Sequence, residues 1–123
     1  MPTQEEMKAV LRAYVDGFAN DDAESVIALF AEDAVVEDPV GTPEKRGLEE
    51  IGKFYRDAVA SGAKLTLDGP PRGSQGNGAA MAFTIDLPAL NLSIKAVDVF
   101  TFDDAGKIAV MRAYWGPDDM KST

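Results

Sequence analysis

Eleven consecutive residues, Leu92 to Phe102, alternate so regularly that they fit only an extended strand with one buried face. Leu92, Ile94, Ala96, Asp98, Phe100 and Phe102 fall on one side, and Ser93, Lys95, Val97, Val99 and Thr101 on the other. Asp98 is the single polar member of the apolar stripe. A charged carboxylate there is costly, so it must be paired, hydrogen-bonded or kept protonated. Two readings fit: a buried aspartate bonded to a backbone amide or an arginine, or a neutral acid that donates a hydrogen bond into an apolar pocket.

The patterning around this strand sets the fold class. Met7, Leu11, Tyr14 and Phe18 space one apolar stripe along a helix from about Gln4 to Ala19. One of Asn20, Asp21 or Asp22 caps a short second helix through Val26, Ile27, Leu29 and Phe30. Val35 and Val36 lead into Glu37-Asp38-Pro39-Val40-Gly41, a short strand ending in a turn. A third helix runs from about Leu48 to Ala60, with Leu48, Ile51, Tyr55 and Val59 on one side. Strands follow at Lys64 to Asp68, Ala79 to Leu87, Leu92 to Phe102 and Ile108 to Trp115. Gly69-Pro70-Pro71, the polar stretch Arg72 to Asn77, Pro88 to Asn91 and Asp103 to Gly106 separate them. Helices first and an antiparallel meander afterwards predict one α+β domain over residues 1–123, its sheet curled around three helices with a cavity between. A length of 123 residues suits one core.

Composition narrows the chemistry. With 46% hydrophobic and 27% charged residues, a soluble globular protein is expected. A formal net charge of -9, its acids concentrated in the first half, argues against nucleic acid or an anionic membrane as partner. No apolar run is long enough to span a bilayer, no signal-peptide pattern opens the chain, and cysteine is absent, which together favour a cytoplasmic setting. Histidine is absent too. A Ser-His-Asp triad, a Cys-His pair and a His-ligated zinc are therefore impossible, and proton chemistry must run on carboxyls, phenols or lysines.

Asp38 follows Val36 at alternate spacing and points inward at a strand end, a place for a general base, although Asp before Pro is also ordinary turn chemistry. The Asp38–Pro39 bond is a candidate for the cis form. Tyr14 is either a core tyrosine or a donor, and Tyr55 and Trp115 share that duality. Met81, Phe83, Met111 and Ala113 are core residues or the wall of an apolar cavity. Phe18 and Val59, on the apolar sides of their helices, complete the expected substrate-binding wall. A tyrosine, an inward carboxyl, a second carboxylate and apolar walls together suit proton abstraction beside a carbonyl: one carboxylate takes the proton and two donors hold the oxyanion.

These residues resemble a known family. Ala31-Glu32-Asp33-Ala34-Val35-Val36-Glu37-Asp38-Pro39-Val40-Gly41 resembles the signature of the bacterial Δ5-3-ketosteroid isomerases, and Arg12-Ala13-Tyr14-Val15, Phe54-Tyr55-Arg56, Val97 to Phe102 and Met111-Arg112-Ala113-Tyr114-Trp115 match other family segments in order and spacing. The resemblance covers nearly the whole chain. It implies a cone-shaped fold of the nuclear-transport-factor-2-like (SnoaL-like) superfamily, a homodimer through the sheet, and no cofactor or metal. It implies that Asp38 moves a proton from C4 to C6 of a 3-oxo-Δ5-steroid while Tyr14 and a protonated Asp98 hold the C3 oxygen. Tyr55 would support Tyr14, and Trp115 would line the steroid cavity. Ketosteroid isomerases are themselves the standard example of a carboxylic acid kept neutral near pH 7 so that it can donate a hydrogen bond. Phe30 departs from members with a tyrosine there, and Pro88 lies in a variable hairpin region. The competing readings are a polyketide cyclase, an epoxide hydrolase using an Asp-Arg-Asp set in which Arg112 would join Asp98, and a non-catalytic binder of apolar small molecules.

Overall fold

The computed structural model describes residues 1–123. Helix α1 (Gln4–Ala19) starts on a capping box: the Thr3 hydroxyl accepts from the Glu6 amide at 3.1 Å, and the Glu6 carboxylate accepts from the Thr3 amide at 2.8 Å. Its buried side chains are Met7, Leu11, Tyr14 and Phe18, the four of the sequence stripe. Helix α2 (Ala23–Ile27) is capped by Asp22, whose carboxylate accepts from the Ser25 amide. The two helices touch at Gly17, where an added Cβ would lie 2.4 Å from Val26 Cγ2. The second helix is shorter than expected. Phe30 opens strand β1 (Phe30–Glu37) instead, because the Leu29 carbonyl accepts from Ile108 and draws the chain into the sheet.

After β1 come β2 (Lys45–Arg46), helix α3 (Gly47–Ala60), β3 (Lys64–Leu67), β4 (Gly78–Leu87), β5 (Leu92–Phe102), β6 (Ile108–Tyr114) and β7 (Met120–Ser122). They form one seven-stranded sheet in the order β2-β1-β6-β5-β4-β3. Strand β7 pairs with Leu92–Ile94 of β5, whereas β6 pairs with β5 only from Val97 onward, so the two share one edge of the long strand. Strands β3 to β6 form the expected antiparallel meander, and β1, which runs parallel to β6, makes the sheet mixed. Neither the parallel pairing nor the two- and three-residue strands β2 and β7 follow from local pattern, since strands this short carry no readable period. Pro88 opens a 3-10 turn ending at Asn91, which has a φ of 51°. The β5–β6 turn is held by Asp103 Oδ1, which accepts from the amides of Ala105 and Lys107.

Strand β5 has the two faces its sequence predicts. Ile94, Ala96, Asp98, Phe100 and Phe102 are buried, while Val97 and Val99 stand exposed on the outer face. The helices fill the concave side, α1 against β3 and β4 and α3 against β1. The architecture is therefore α+β, with three helices inside a curved open sheet. No helix is long and apolar enough to cross a membrane.

Candidate active site

Three elements bring the candidate groups together. Tyr14 comes from α1, Tyr55 from α3 and Asp98 from the middle of β5, all buried. The Tyr14 and Tyr55 hydroxyls lie 2.9 Å apart, 41 residues distant in sequence. The Tyr14 ring packs edge-on against Tyr55 and Phe100, with centroids 5.6 and 5.4 Å away. Phe30 lies against Tyr55 at 5.3 Å but has no hydroxyl, so no phenol at position 30 extends the chain from Tyr14 through Tyr55.

Asp98 is 1% exposed, and its Oδ1 is buried without a hydrogen-bond partner. Its strand neighbours are Met81 on β4 and Ala113 on β6, neither of which offers a side-chain donor. Of the two sequence readings, the paired structural aspartate thus lacks its partner. Arg112 lies on the opposite face of the sheet, exposed, with Nε donating to Glu37 Oε1 at 3.3 Å. An Asp-Arg-Asp set is therefore not assembled. Burial, and then the charge of Asp38, push the Asp98 carboxyl well above the usual carboxylate range.

Asp38 follows β1 directly and is only half-buried. The Trp115 indole donates to its Oδ1 at 3.3 Å. The Val40 amide donates to the Ala113 carbonyl at 2.8 Å and fastens this loop to β6, and the Asp38–Pro39 bond is cis. Burial raises the Asp38 carboxyl, while the indole hydrogen bond and the charge of Lys45 pull the other way. The Tyr14 and Tyr55 hydroxyls are pushed well above the usual phenol value, chiefly by burial, so both keep their protons.

These groups share one apolar cavity of about 160 Å³. Tyr14, Tyr55, Asp98, Phe18 and Phe83 make its buried end, and Asp38, Trp115, Phe54 and Leu87 stand nearer solvent. Seven of the ten expected site residues thus line one space. Met81, Met111 and Val59 do not; they are buried in the core beneath it. Alternation along β4 and β6 and the helical stripe of α3 report which way a side chain points, not how deep the space above it is. Further wall residues follow the same patterns: Ile85 and Leu87 continue the Phe83 face, Ile94 shares the Asp98 face, and Phe54 and Ala58 form a second ridge on α3 that continues to its C-cap, Ser61. A separate recess of about 320 Å³, between the N-terminus and the β5–β6 turn, has no buried titratable group in its wall.

Comparison with known proteins gives the family of the chain. The SnoaL-like domain family matches residues 11–111. The steroid Delta-isomerase of Nocardioides simplex is 37% identical over 120 residues, 96% of each chain. A solved structure of SalBIII, described as an epoxide hydrolase/cyclase-like enzyme with a role in pyran ring formation in the polyether salinomycin, matches with a TM-score of 0.89 at 27% identity and covers 97% of both chains. The chain belongs to the SnoaL-like family and carries its nuclear-transport-factor-2-like cone fold.

Proposed function

We propose that this chain isomerises 3-oxo-Δ5-steroids to 3-oxo-Δ4-steroids by carrying one proton from C4 to C6. The observation that supports it most is the unpartnered, buried Asp98 carboxyl in the same apolar cavity as the Tyr14 hydroxyl and the half-buried Asp38. A non-catalytic binder has no need of two carboxyls there. The 37% identity to a steroid Delta-isomerase favours the same substrate class.

The electrons balance without an outside reagent. The Asp38 carboxylate removes a proton from C4; the C4–H pair forms a C3–C4 double bond, and charge passes to the C3 oxygen. Tyr14 and neutral Asp98 donate hydrogen bonds to that oxygen. Each is worth most in the dienolate, where the charge is largest, so both act on the barrier rather than on binding alone. Either hydroxyl of the Tyr14–Tyr55 pair can donate to the other; in the reaction Tyr55 takes the donor role, which leaves the Tyr14 proton free for the substrate. The dienolate then collapses, C6 takes the proton back from Asp38, and the base is regenerated. A base contributes about 10²–10⁴ in rate, and loss of one oxyanion donor costs about 10²–10³.

A second copy of the chain is the expected partner. Val97, Val99 and Tyr114 stand exposed together on the outer face of β5 and β6, an apolar patch suited to sheet-to-sheet dimerisation. The function is tested with 5-androstene-3,17-dione by following the ultraviolet absorbance of the conjugated enone. Catalytic turnover is expected, and a rate no faster than buffer refutes the proposal.

A further inference from the structure

Strand β2 places a lysine where an apolar residue would be ordinary. Lys45 sits directly opposite Val36 of β1, and Arg46 opposite Val35. Side chains directly opposite in an antiparallel pair leave on the same face. Val36 is fully buried on the inner face, so Lys45 also starts inward, while Arg46 stands exposed. Lys45 is half-buried, and its Nζ lies 4.8 Å from the centroid of the Phe54 ring. Phe54 and Asp38 line the same cavity, and Asp38 lies two residues beyond Val36.

Lys45 lines an open groove with Phe54, Glu50, Lys53 and Asp57, yet forms no ion pair there. Its neighbours Arg46 and Lys53 are committed to Glu44 and Asp57, but no carboxylate lies within 4.0 Å of the Lys45 ammonium. The groups that face Asp38 from the other elements bring no cation: the Trp115 indole follows β6, Asp98 comes from β5, Tyr14 from α1 and Tyr55 from α3. Glu37, beside it, turns away to the Gly41 amide and Arg112.

We infer that Lys45 is a positioning residue for the base: held over the Phe54 ring that walls the cavity, its ammonium keeps Asp38 ionised in an apolar site. The inference rests on Asp38 being the base of the proposed reaction. A carboxyl in a largely apolar wall drifts toward its neutral form, and a neutral acid takes no proton from carbon. An opposite charge restores the carboxylate, and the opposing pulls of burial and Lys45 on Asp38 are those already described. Because the stem is half-buried rather than free in solvent, its charge is screened less than that of a surface lysine.

The test reads Asp38 directly. Carbon-13-labelled aspartate carboxyls are titrated by NMR in the ligand-free protein, with the Asp38 resonance identified by its absence in Asp38→Asn. In Lys45→Met, Asp38 should titrate at higher pH, and Lys45→Arg should restore the wild-type position. An unchanged Asp38 titration in a folded Lys45→Met protein overturns the inference, whether or not the protein turns over steroid. Where it does, the acid limb of kcat/KM should move up in Lys45→Met while the alkaline plateau stays level or rises. An equal loss at every pH marks a merely structural lysine and also overturns it. Absence of turnover in the wild type refutes the isomerase reading alone and leaves the titration to decide.

Discussion

Replacing Asp98 with asparagine should change how stability depends on pH, because the shape stays and the titrating proton goes. Asp98 is 1% exposed, its Oδ1 has no partner, and burial raises its carboxyl well above the usual range. In the unfolded chain the same group titrates near about 3.9. Below that value both states hold the proton and the linkage is silent. Above it the unfolded chain releases the proton while the native state retains it, so native stability falls as pH rises, until the native carboxyl itself ionises. Each unit of that window costs about 1.4 kcal/mol. Wild-type stability should therefore fall relative to Asp98→Asn as pH rises above about 4, for as long as the native carboxyl keeps its proton. Asp38, also raised, is present in both proteins, so its own contribution cancels to first order. Urea unfolding of the two proteins at several pH values measures the difference. The slope is the prediction, since the new amide shifts the offset by an unrelated amount. A flat difference would mean that Asp98 ionises in the native protein as it does in the unfolded chain, and the neutral-acid reasoning would fail.

Other outcomes follow from the same geometry. Asp38→Asn should lower kcat by about 10²–10⁴ with little change in steroid affinity; full activity would remove Asp38 from the chemistry. Tyr55→Phe removes the partner of the Tyr14 hydroxyl, and should cost about 1 kcal/mol in stability with a smaller fall in rate than Tyr14→Phe, measured by denaturation and initial rates. An equal or larger rate loss for Tyr55→Phe would reverse their roles. The double variant Val99→Lys with Tyr114→Lys puts charge on the outer apolar patch, and should convert a dimer to a monomer in sedimentation; a wild type that sediments as a monomer at micromolar concentration removes the dimer.

Local pattern alone determined much of this protein. The period of two in Leu92–Phe102 specified a strand, its bounds and the inward aim of Asp98. The stripe of Met7, Leu11, Tyr14 and Phe18 specified a helix and its buried side. The missing histidine restricted proton chemistry to the groups now found in the cavity. These are properties of neighbouring residues, and the backbone repeat converts them directly into direction. Tertiary structure decided partner and depth. Only the folded chain sets Tyr14 against Tyr55, lays β1 parallel to β6, leaves Phe83 on the cavity while Met81 is sealed in the core, and sets Lys45 over the Phe54 ring. Each of those depends on which distant segment closes over a face, and a face carries no record of what will cover it. For Asp98 the division is sharp: its stripe fixed the side it points to, and the packing of the other elements left its Oδ1 out of hydrogen-bonding reach of any donor.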